Sequence, residues 1–210
     1  MRFIRAFVAV AAVTSMLLLL PSPAGADNLQ RYDKWKDVLQ VDTTEEPGPH
    51  FYEPAPDRVL GDITETRVDY RSTVVHVALY VRALEKTGDE NRFEVVFKTP
   101  KLNRTAEITA TPAHWDGRLR FYSDDGSHLY TCRGLTYKVD YDHNRLVLDV
   151  PRTCLGSPHY LRVGAATNFE VSSTHTLYSD DAFTSQPDYY RPTLGPAVHS
   201  GPPPPGAGSA

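Results

Sequence analysis

Residues 135–150, LTYKVDYDHNRLVLDV, contain the pattern that decides the fold. Apolar residues occupy every second position on both sides of a short polar segment, and this period places one face of each flanking run toward a core. The polar segment Asp142-His143-Asn144 has the chemistry of a turn, since Asp and Asn tolerate left-handed backbone angles and form local hydrogen bonds. The stretch therefore predicts a β-hairpin.

Cys132 and Cys154, the only cysteines of the chain, lie just outside the two arms of this hairpin. An antiparallel pairing of the arms would bring them together, and the sequence has no C-x-x-C motif that would favour a redox or metal role. We therefore predict a disulfide that closes the open end of the hairpin. In the chain-entropy model a bridge around a loop of about 22 residues stabilises a fold by roughly 3 kcal/mol.

The N-terminus has the three parts of a secretory signal. Arg2 and Arg5 precede an uncharged apolar run, and small residues follow at 24–26. We predict a signal peptide over residues 1–26, cleavage between Ala26 and Asp27, and a secreted protein; an uncleaved anchor is the alternative. No later segment is apolar enough to span a membrane. Loss of two arginines changes the formal net charge from -4 to -6, a balance that does not favour nucleic acid as a partner.

From Gly61 onward, short alternating runs recur every 8 to 12 residues with turn segments between them, a spacing typical of antiparallel sandwiches. We predict an all-β, jelly-roll-like antiparallel β-sandwich of about 8–10 strands over residues 57–179. Residues 27–56, with four prolines among them, are predicted to form an N-terminal arm or linker. Residues 180–210 contain seven of the 17 prolines and are predicted to be a disordered tail.

Two stretches resemble known families. Gly61-Asp62-Ile63 and the alternating strands after it are similar to the opening of DOMON and family-9 carbohydrate-binding domains. The phrase Val-Pro-Arg-Thr-Cys-Leu-Gly at 150–156, with the strand that follows it, resembles an ending found in uncharacterised secreted β-sandwich proteins of actinobacteria. The second resemblance implies no activity. Haem-binding DOMON domains use a Met ligand, and the only methionines here, Met1 and Met16, lie within the predicted signal, so haem of that type is not expected.

Asp140, Asp142 and Asn144 have a D-x-D-x-N spacing that could gather oxygen ligands for Ca²⁺. Arg145 stands where an EF-hand loop needs glycine, and Pro151 stands where it needs Glu, so the site would not be an EF-hand. A calcium site of another geometry could add a neighbouring acidic pair, and otherwise these residues are solvated turn carboxylates. The acidic pairs are Asp124 with Asp125 and Asp180 with Asp181.

Trp115, beside the predicted turn Asp116-Gly117, and Tyr122 are candidates for stacking against sugar rings; the alternative is that strand tyrosines are buried. The eight histidines show no zinc-binding spacing, and no hydrolase or phosphate-loop motif occurs. No catalytic residue and no cofactor other than calcium are therefore predicted. These features favour a secreted, non-catalytic binding or structural module of the cell envelope or extracellular space, with a polysaccharide or cell-wall component as candidate partner. The alternatives are a secreted hydrolase with an unrecognised site and a calcium-stabilised carbohydrate-binding domain.

Overall fold

The computed structural model describes residues 28–34, 36–44, 52–123, 125–185 and 191–200. The predicted signal peptide and its cleavage site at Ala26 and Asp27 lie outside these residues. No helix in the described part of the chain has the length and apolar character needed to cross a bilayer. The described residues form three short 3-10 turns and thirteen strands: β1 Asn28–Tyr32, β2 Leu39–Asp42, β3 Glu53–Pro54, β4 Ile63–Tyr70, β5 Val74–Val81, β6 Glu90–Lys98, β7 Asn103–Thr111, β8 His114–Ser123, β9 Thr136–Asp140, β10 Arg145–Pro151, β11 Tyr160–Val171, β12 Thr176–Asp181 and β13 Leu194–His199.

The strands form two antiparallel sheets, so the predicted all-β class is confirmed. One sheet has five strands in the order β1-β4-β5-β10-β9. The other has eight, in the order β3-β2-β12-β11-β6-β7-β8, with β13 also paired to β11. The described residues thus contain more strands than the 8–10 predicted, because short edge strands at both ends of the chain carry little periodic signal.

The predicted hairpin forms from β9 and β10, with Tyr137 opposite Leu148 and Asp140 opposite Arg145. A 3-10 turn connects them, and Asn144 takes the left-handed conformation that the turn requires, with φ of 48°. Cys132 and Cys154 are joined by a disulfide, with their Cα atoms 5.8 Å apart. The bridge lies at the open end of the hairpin, as predicted.

One core fills the space between the sheets. Leu79, Leu146 and Leu148 from the five-stranded sheet belong to the same buried cluster as Phe93 and Phe169 from the eight-stranded sheet. The two phenylalanine rings meet edge to face at 5.9 Å, an arrangement that aromatic pairs favour. The alternating apolar residues that predicted the strands therefore face each other across the sandwich.

The sheets also meet at one side, where the edge strands β8 and β9 lie next to each other. Tyr137 donates its hydroxyl hydrogen bond to the Gly117 carbonyl at 2.8 Å, and Tyr141 donates to the Trp115 carbonyl at 2.8 Å. These bonds use backbone acceptors of β8 that no further strand occupies. The tyrosines of the hairpin thus close this side of the sandwich.

The predicted N-terminal arm is not a linker in its described part. The strand β1 pairs with β4, and β2 pairs with β12, so residues of the arm belong to both sheets. Of the two alternatives, an arm or a linker, these residues form an arm, and its strands were not placed because they lie at or near the sheet edges, where half-exposed residues give no clear alternation. Pro54 is tolerated in β3 because an edge strand has an unpaired side.

The domain also extends beyond residue 179. Asp180 and Asp181 end β12, and β13 pairs with the first half of β11 as far as Gly164, while β12 covers its second half. Arg162 holds β13 in place by donating hydrogen bonds to the carbonyls of Leu194 and Gly195, each at 2.7 Å. The prediction of a disordered tail was wrong for these residues because β11 is too long to be covered by β12 alone. The remainder of the tail, residues 186–190 and 201–210, lies outside the described residues.

Candidate metal centre

Three buried aspartates from separate parts of the chain meet where the two sheets approach each other. Asp37 lies between β1 and β2, Asp62 immediately precedes β4, and Asp180 lies in β12. Each offers a carboxylate oxygen, and these oxygens lie within 4.8 Å of one another. The side chains are almost completely shielded from solvent, with exposed fractions of 7% for Asp37, 0% for Asp62 and 1% for Asp180.

Backbone hydrogen bonds fix Asp180 between the sheets. One carboxylate oxygen accepts from the Ile63 amide at 2.6 Å and the other from the Asp181 amide at 2.9 Å. The Ile63 bond joins β12 of one sheet to the start of β4 in the other. Gly61 allows the close approach at this point, because its φ is +78° and a Cβ there would lie 2.6 Å from the Phe169 ring.

The position of Asp37 is fixed by Val38, the buried residue that follows it. Val38 is 1% exposed, and its carbonyl accepts a hydrogen bond from the Ala55 amide at 2.8 Å. Lys36, which precedes Asp37, has a positive φ of 68° that turns the chain inward. The connection between β1 and β2 thus carries a carboxylate into the interior of the molecule.

Several oxygens of this cluster lack the partners that buried polar groups normally have. Neither oxygen of Asp37 has a hydrogen-bond partner on another described residue, and neither does Oδ1 of Asp62. Oδ2 of Asp33, at the end of β1, is also buried without such a partner. An unpaired buried carboxylate costs several kcal/mol, so the arrangement calls for a positive charge among these oxygens.

The charges of the described residues do not balance at this site. Asp62 forms an ion pair with Arg82 at 2.9 Å, which offsets one of the three negative charges. Burial, with a smaller contribution from the neighbouring carboxylates, raises the pKa of Asp180 to about 8. Burial likewise raises the pKa values of Asp37 and Asp62 above the ordinary value.

Two more aspartates border the cluster. Burial raises the pKa of Asp33 to about 7, with Asp37 and Asp181 adding to the effect. Asp181 is committed to structure, because its oxygens accept hydrogen bonds from the amides of Phe183 at 2.9 Å and Thr193 at 2.6 Å. Asp33 is therefore a fourth carboxylate available to a cation, whereas Asp181 joins β12 to β13.

This donor set suits a hard divalent cation. The three residues offer only oxygen, the ligand that Ca²⁺ and Mg²⁺ prefer, and no described His or Cys belongs to the group. Ca²⁺ binds oxygen at 2.3–2.6 Å, so two of its ligands are separated by at most about 5 Å, and carboxylate oxygens that lie within 4.8 Å of one another are close enough to share it. Mg²⁺ requires distances of about 2.0–2.1 Å and near-ideal octahedral geometry. The origin of the ligands in three separate segments favours Ca²⁺, whose coordination geometry is more flexible.

The calcium site predicted at Asp140, Asp142 and Asn144 does not form. Three side chains contact the Asp140 carboxylate: the cations of Lys138 and Arg145 at 3.1 and 3.2 Å and the His143 imidazole at 3.0 Å. These partners lower the pKa of Asp140 to about 2, the His143 hydrogen bond most strongly.

The other two residues of that motif are also unsuited to a shared cation. The Asn144 side-chain oxygen accepts a hydrogen bond from the Leu84 amide at 2.9 Å, and Asp142 is exposed. The spacing therefore serves the hairpin turn. Of the acidic pairs considered with it, Asp180 does enter a carboxylate cluster, but with Asp37 and Asp62.

Trp115 and Tyr122 do not form one sugar-stacking platform. Both lie in β8, seven residues apart, which corresponds to about 23 Å along a strand. Asp116-Gly117 is part of this strand and not a turn, so Trp115 is half-buried instead of standing on a loop. Tyr122 is also half-buried, and its hydroxyl donates to Glu107 at 3.3 Å. Burial raises the pKa of Tyr122 above its ordinary value.

Sequence reasoning missed the cluster because its residues are distant in sequence and each resembles surface charge. One signal was present: each carboxylate lies at the end of an apolar strand pattern, with Asp37 before Val38 and Asp62 before Ile63. Strand ends from both sheets that meet at one point could have been recognised only with the strand order in hand. That order is a long-range property of the fold.

No family model matches the chain, and neither a curated protein nor a solved structure matches it at a significant level. The geometry of the molecule is therefore the basis for any functional proposal.

Proposed function

We propose that this protein is an exported, non-catalytic β-sandwich module that holds a structural Ca²⁺ between its two sheets, with Asp37, Asp62 and Asp180 as ligands. The observation that carries the proposal is the group of buried carboxylate oxygens without partners, gathered within 4.8 Å. A divalent cation would offset the negative charge that remains after the Arg82 ion pair and the nearby Lys34 and Lys36.

The burial of the cluster supports a structural role. A catalytic metal keeps an open coordination position for substrate, whereas a structural metal is enclosed by its ligands. Asp62 and Asp180 are almost fully buried, and Asp180 is fixed by two backbone amides. Such a site can cross-link elements of the fold but offers a substrate no approach.

The cation would join three segments from separate parts of the chain, in addition to the strand pairings of β1 with β4 and of β2 with β12. Asp37 belongs to the N-terminal connection, Asp62 to the five-stranded sheet and Asp180 to the eight-stranded sheet. Metal bound by the folded state alone adds its binding energy to the stability of the fold. We infer that calcium docks the N-terminal strands onto the body of the domain.

Export is supported by the sequence of residues 1–26 and by the disulfide between Cys132 and Cys154, since such bridges persist in oxidising compartments. Extracellular calcium concentrations are high enough to occupy even the weaker protein sites, which bind with Kd values of about 10⁻⁴–10⁻³ M. The proposed location and the proposed ligand are therefore consistent with each other.

Isothermal titration calorimetry tests the calcium site directly. The full chain, stripped of metal with a chelator, is titrated with calcium and in parallel with magnesium. We expect one calcium ion per chain, bound more tightly than magnesium. Asp180→Asn keeps an acceptor for the Ile63 amide and should weaken calcium binding at least about tenfold, because it removes a charged ligand. Asp142→Asn, an exposed carboxylate outside the cluster, is the matched control. Equal binding by the wild-type chain and Asp180→Asn, or no binding by either, would refute the site.

A further inference from the structure

A second site of opposite charge lies at the end of the eight-stranded sheet. The loop between β6 and β7 and the end of β8 line a wide cavity of about 590 Å³ that is open to solvent. Pockets of this size are typical of small-molecule and oligosaccharide-sized ligands. The residues that line it include three cations, Lys98, Lys101 and Arg104, and one described carboxylate, Asp125.

The three cations are not neutralised by ion pairs within the described residues. Arginines elsewhere on the two sheets, among them Arg67, Arg71 and Arg145, pair with carboxylates. In the described part of the chain, by contrast, no carboxylate forms an ion pair with the cations of the cavity. The described lining thus has three positive charges against one negative charge. The excess charge favours an anionic ligand.

The side chain of Arg104 is fixed in position by its neighbours. Its guanidinium lies 3.9 Å from the centre of the Tyr130 ring, and one terminal nitrogen donates to the Asn103 carbonyl at 2.8 Å. Its Nε is buried without a hydrogen-bond partner. A guanidinium that is stacked and incompletely satisfied can bind a carboxylate with little further loss of side-chain entropy.

The walls of the cavity are preorganised by short hydrogen-bonded turns. On one side, the Thr99 hydroxyl accepts from the amides of Lys101 and Leu102 at 3.2 and 3.0 Å. On the other side, Asp125 accepts from the amide and hydroxyl of Ser127 at 3.0 and 2.8 Å. A rigid loop pays less entropy on binding than a mobile one.

Aromatic rings border the same end of the sheet. Tyr130 is 41% exposed and Tyr160 is 43% exposed, although both are large apolar side chains. Tyr160 begins β11, two residues before Arg162, which is paired with Lys98 at the cavity. Tyr130 stacks on Arg104 and Tyr160 lies beside the His199 ring, so the exposed parts of these rings can extend the contact of a ligand that has both sugar rings and acid groups.

We propose that this cavity binds an acidic polysaccharide through the carboxylates of its uronic-acid residues, with Lys101 and Arg104 as the main contacts. The size of the cavity and the exposed rings favour a sugar chain over a single small anion. The site is independent of the proposed calcium site, because two strand spacings and an offset of five residues along β11 separate Lys98 from Asp180 by roughly 20 Å. This distance exceeds the screening length of about 8–10 Å in physiological salt.

Calorimetry with defined oligosaccharides tests this proposal. The calcium-loaded full chain is titrated with a short galacturonic acid oligomer, with a neutral gluco-oligosaccharide of equal length and with inorganic phosphate. We expect binding of the acidic oligomer only, weakening by about tenfold when sodium chloride is raised from about 50 to about 300 mM. Lys101→Gln and Arg104→Gln should each weaken binding about five- to tenfold. Arg118→Gln, an exposed arginine of β8 outside the cavity, should leave it unchanged.

Each other outcome would overturn the assignment. Phosphate that binds as tightly as the oligomer would indicate a simple anion site, and equal binding of the neutral sugar would remove the role of charge. Binding that survives Lys101→Gln would place the ligand elsewhere, and because Lys101 is exposed this variant is expected to fold normally. No binding of the acidic oligomer would refute the proposal while leaving the calcium site untouched.

Discussion

Replacing Asp37 by asparagine should have opposite effects on stability with and without calcium. In the metal-free protein the substitution removes one of three carboxylates whose oxygens lie within 4.8 Å of one another. Two negative charges at this distance repel by about 3.5 kcal/mol at an effective dielectric constant of about 20. Because Arg82 and protonation already relieve part of the repulsion, we expect Asp37→Asn to stabilise the metal-free protein by about 1–2 kcal/mol.

With calcium present the sign reverses. A ligand at 100 times its Kd stabilises the folded state by about 2.7 kcal/mol, which is the gain expected for the wild-type protein in about 1 mM calcium if the Kd is about 10 µM. Asp37→Asn loses a charged ligand and should lose most of this gain. In a domain of this size 1 kcal/mol corresponds to about 2–4 °C in Tm. Calcium should therefore raise the wild-type Tm by about 5–11 °C and that of the variant by about 2 °C or less.

Thermal unfolding followed by circular dichroism gives the four Tm values needed, those of the wild-type protein and of Asp37→Asn, each in chelator and in calcium. Asp142→Asn is the control, because an exposed turn carboxylate should change stability by no more than about 0.5 kcal/mol in either condition. A wild-type Tm that is the same in chelator and calcium would refute the reasoning. So would destabilisation of the variant in chelator, because it would show that Asp37 stabilises the fold without a cation.

Three further predictions concern the fold. Gly117→Ala should lower the free energy of unfolding by about 1–3 kcal/mol in a urea titration, because φ there is +87° and a Cβ would lie 2.8 Å from Ile108. Because the pKa of Asp140 is lowered, the ion pairs of Asp140 stabilise the protein above the ordinary carboxyl pKa of 3.8, and this stability is lost as the pH falls through about 2. Thermal melts between these two pH values should therefore show a smaller loss of stability for Asp140→Asn than for the wild-type protein. Replacing Cys132 and Cys154 by serine should cost about 3 kcal/mol, and a double variant as stable as the wild type would contradict the role given to the bridge.

The central part of the fold was predictable from the sequence because its signals are local. In β9 and β10 the side chains alternate between core and surface, and Asp142 to Asn144 supply the turn chemistry between them. The disulfide followed from the hairpin, since the register that pairs the arms also brings Cys132 and Cys154 together. The alternation of apolar residues, the turn residues between the arms and the positions of the two cysteines all indicated the same disulfide-closed hairpin.

The ends of the chain were not predictable in this way. The strand β13 contains Gly195 and Pro196 and shows no alternation of apolar residues, so its local pattern favours a disordered segment. It is ordered because Arg162 donates to its carbonyls and because half of β11 would otherwise have an unpaired edge. Both causes are tertiary contacts, and neither produces a recognisable sequence pattern within residues 194–199.

The candidate metal ligands were even less predictable from local sequence than the ends of the chain. The D-x-D-x-N spacing of residues 140–144 is a local pattern, and it predicted a site where the structure places cations around Asp140. The ligands that do meet come from three segments, and none has a neighbour in sequence that identifies it. Spacing finds metal sites built from one loop, whereas sites between sheets depend on topology.

The two proposed sites together explain how an acidic chain could bind an acidic polymer. The formal net charge of -6 that remains after loss of residues 1–26 includes five aspartates gathered at the junction between the sheets, where all but Asp33 are buried. Without these five the charge of the rest of that chain sums to -1. A bound calcium ion would further offset the buried negative charge. The surface that a ligand meets is therefore close to neutral overall, so the local excess of cations around Lys101 and Arg104 is not opposed by a strong long-range repulsion.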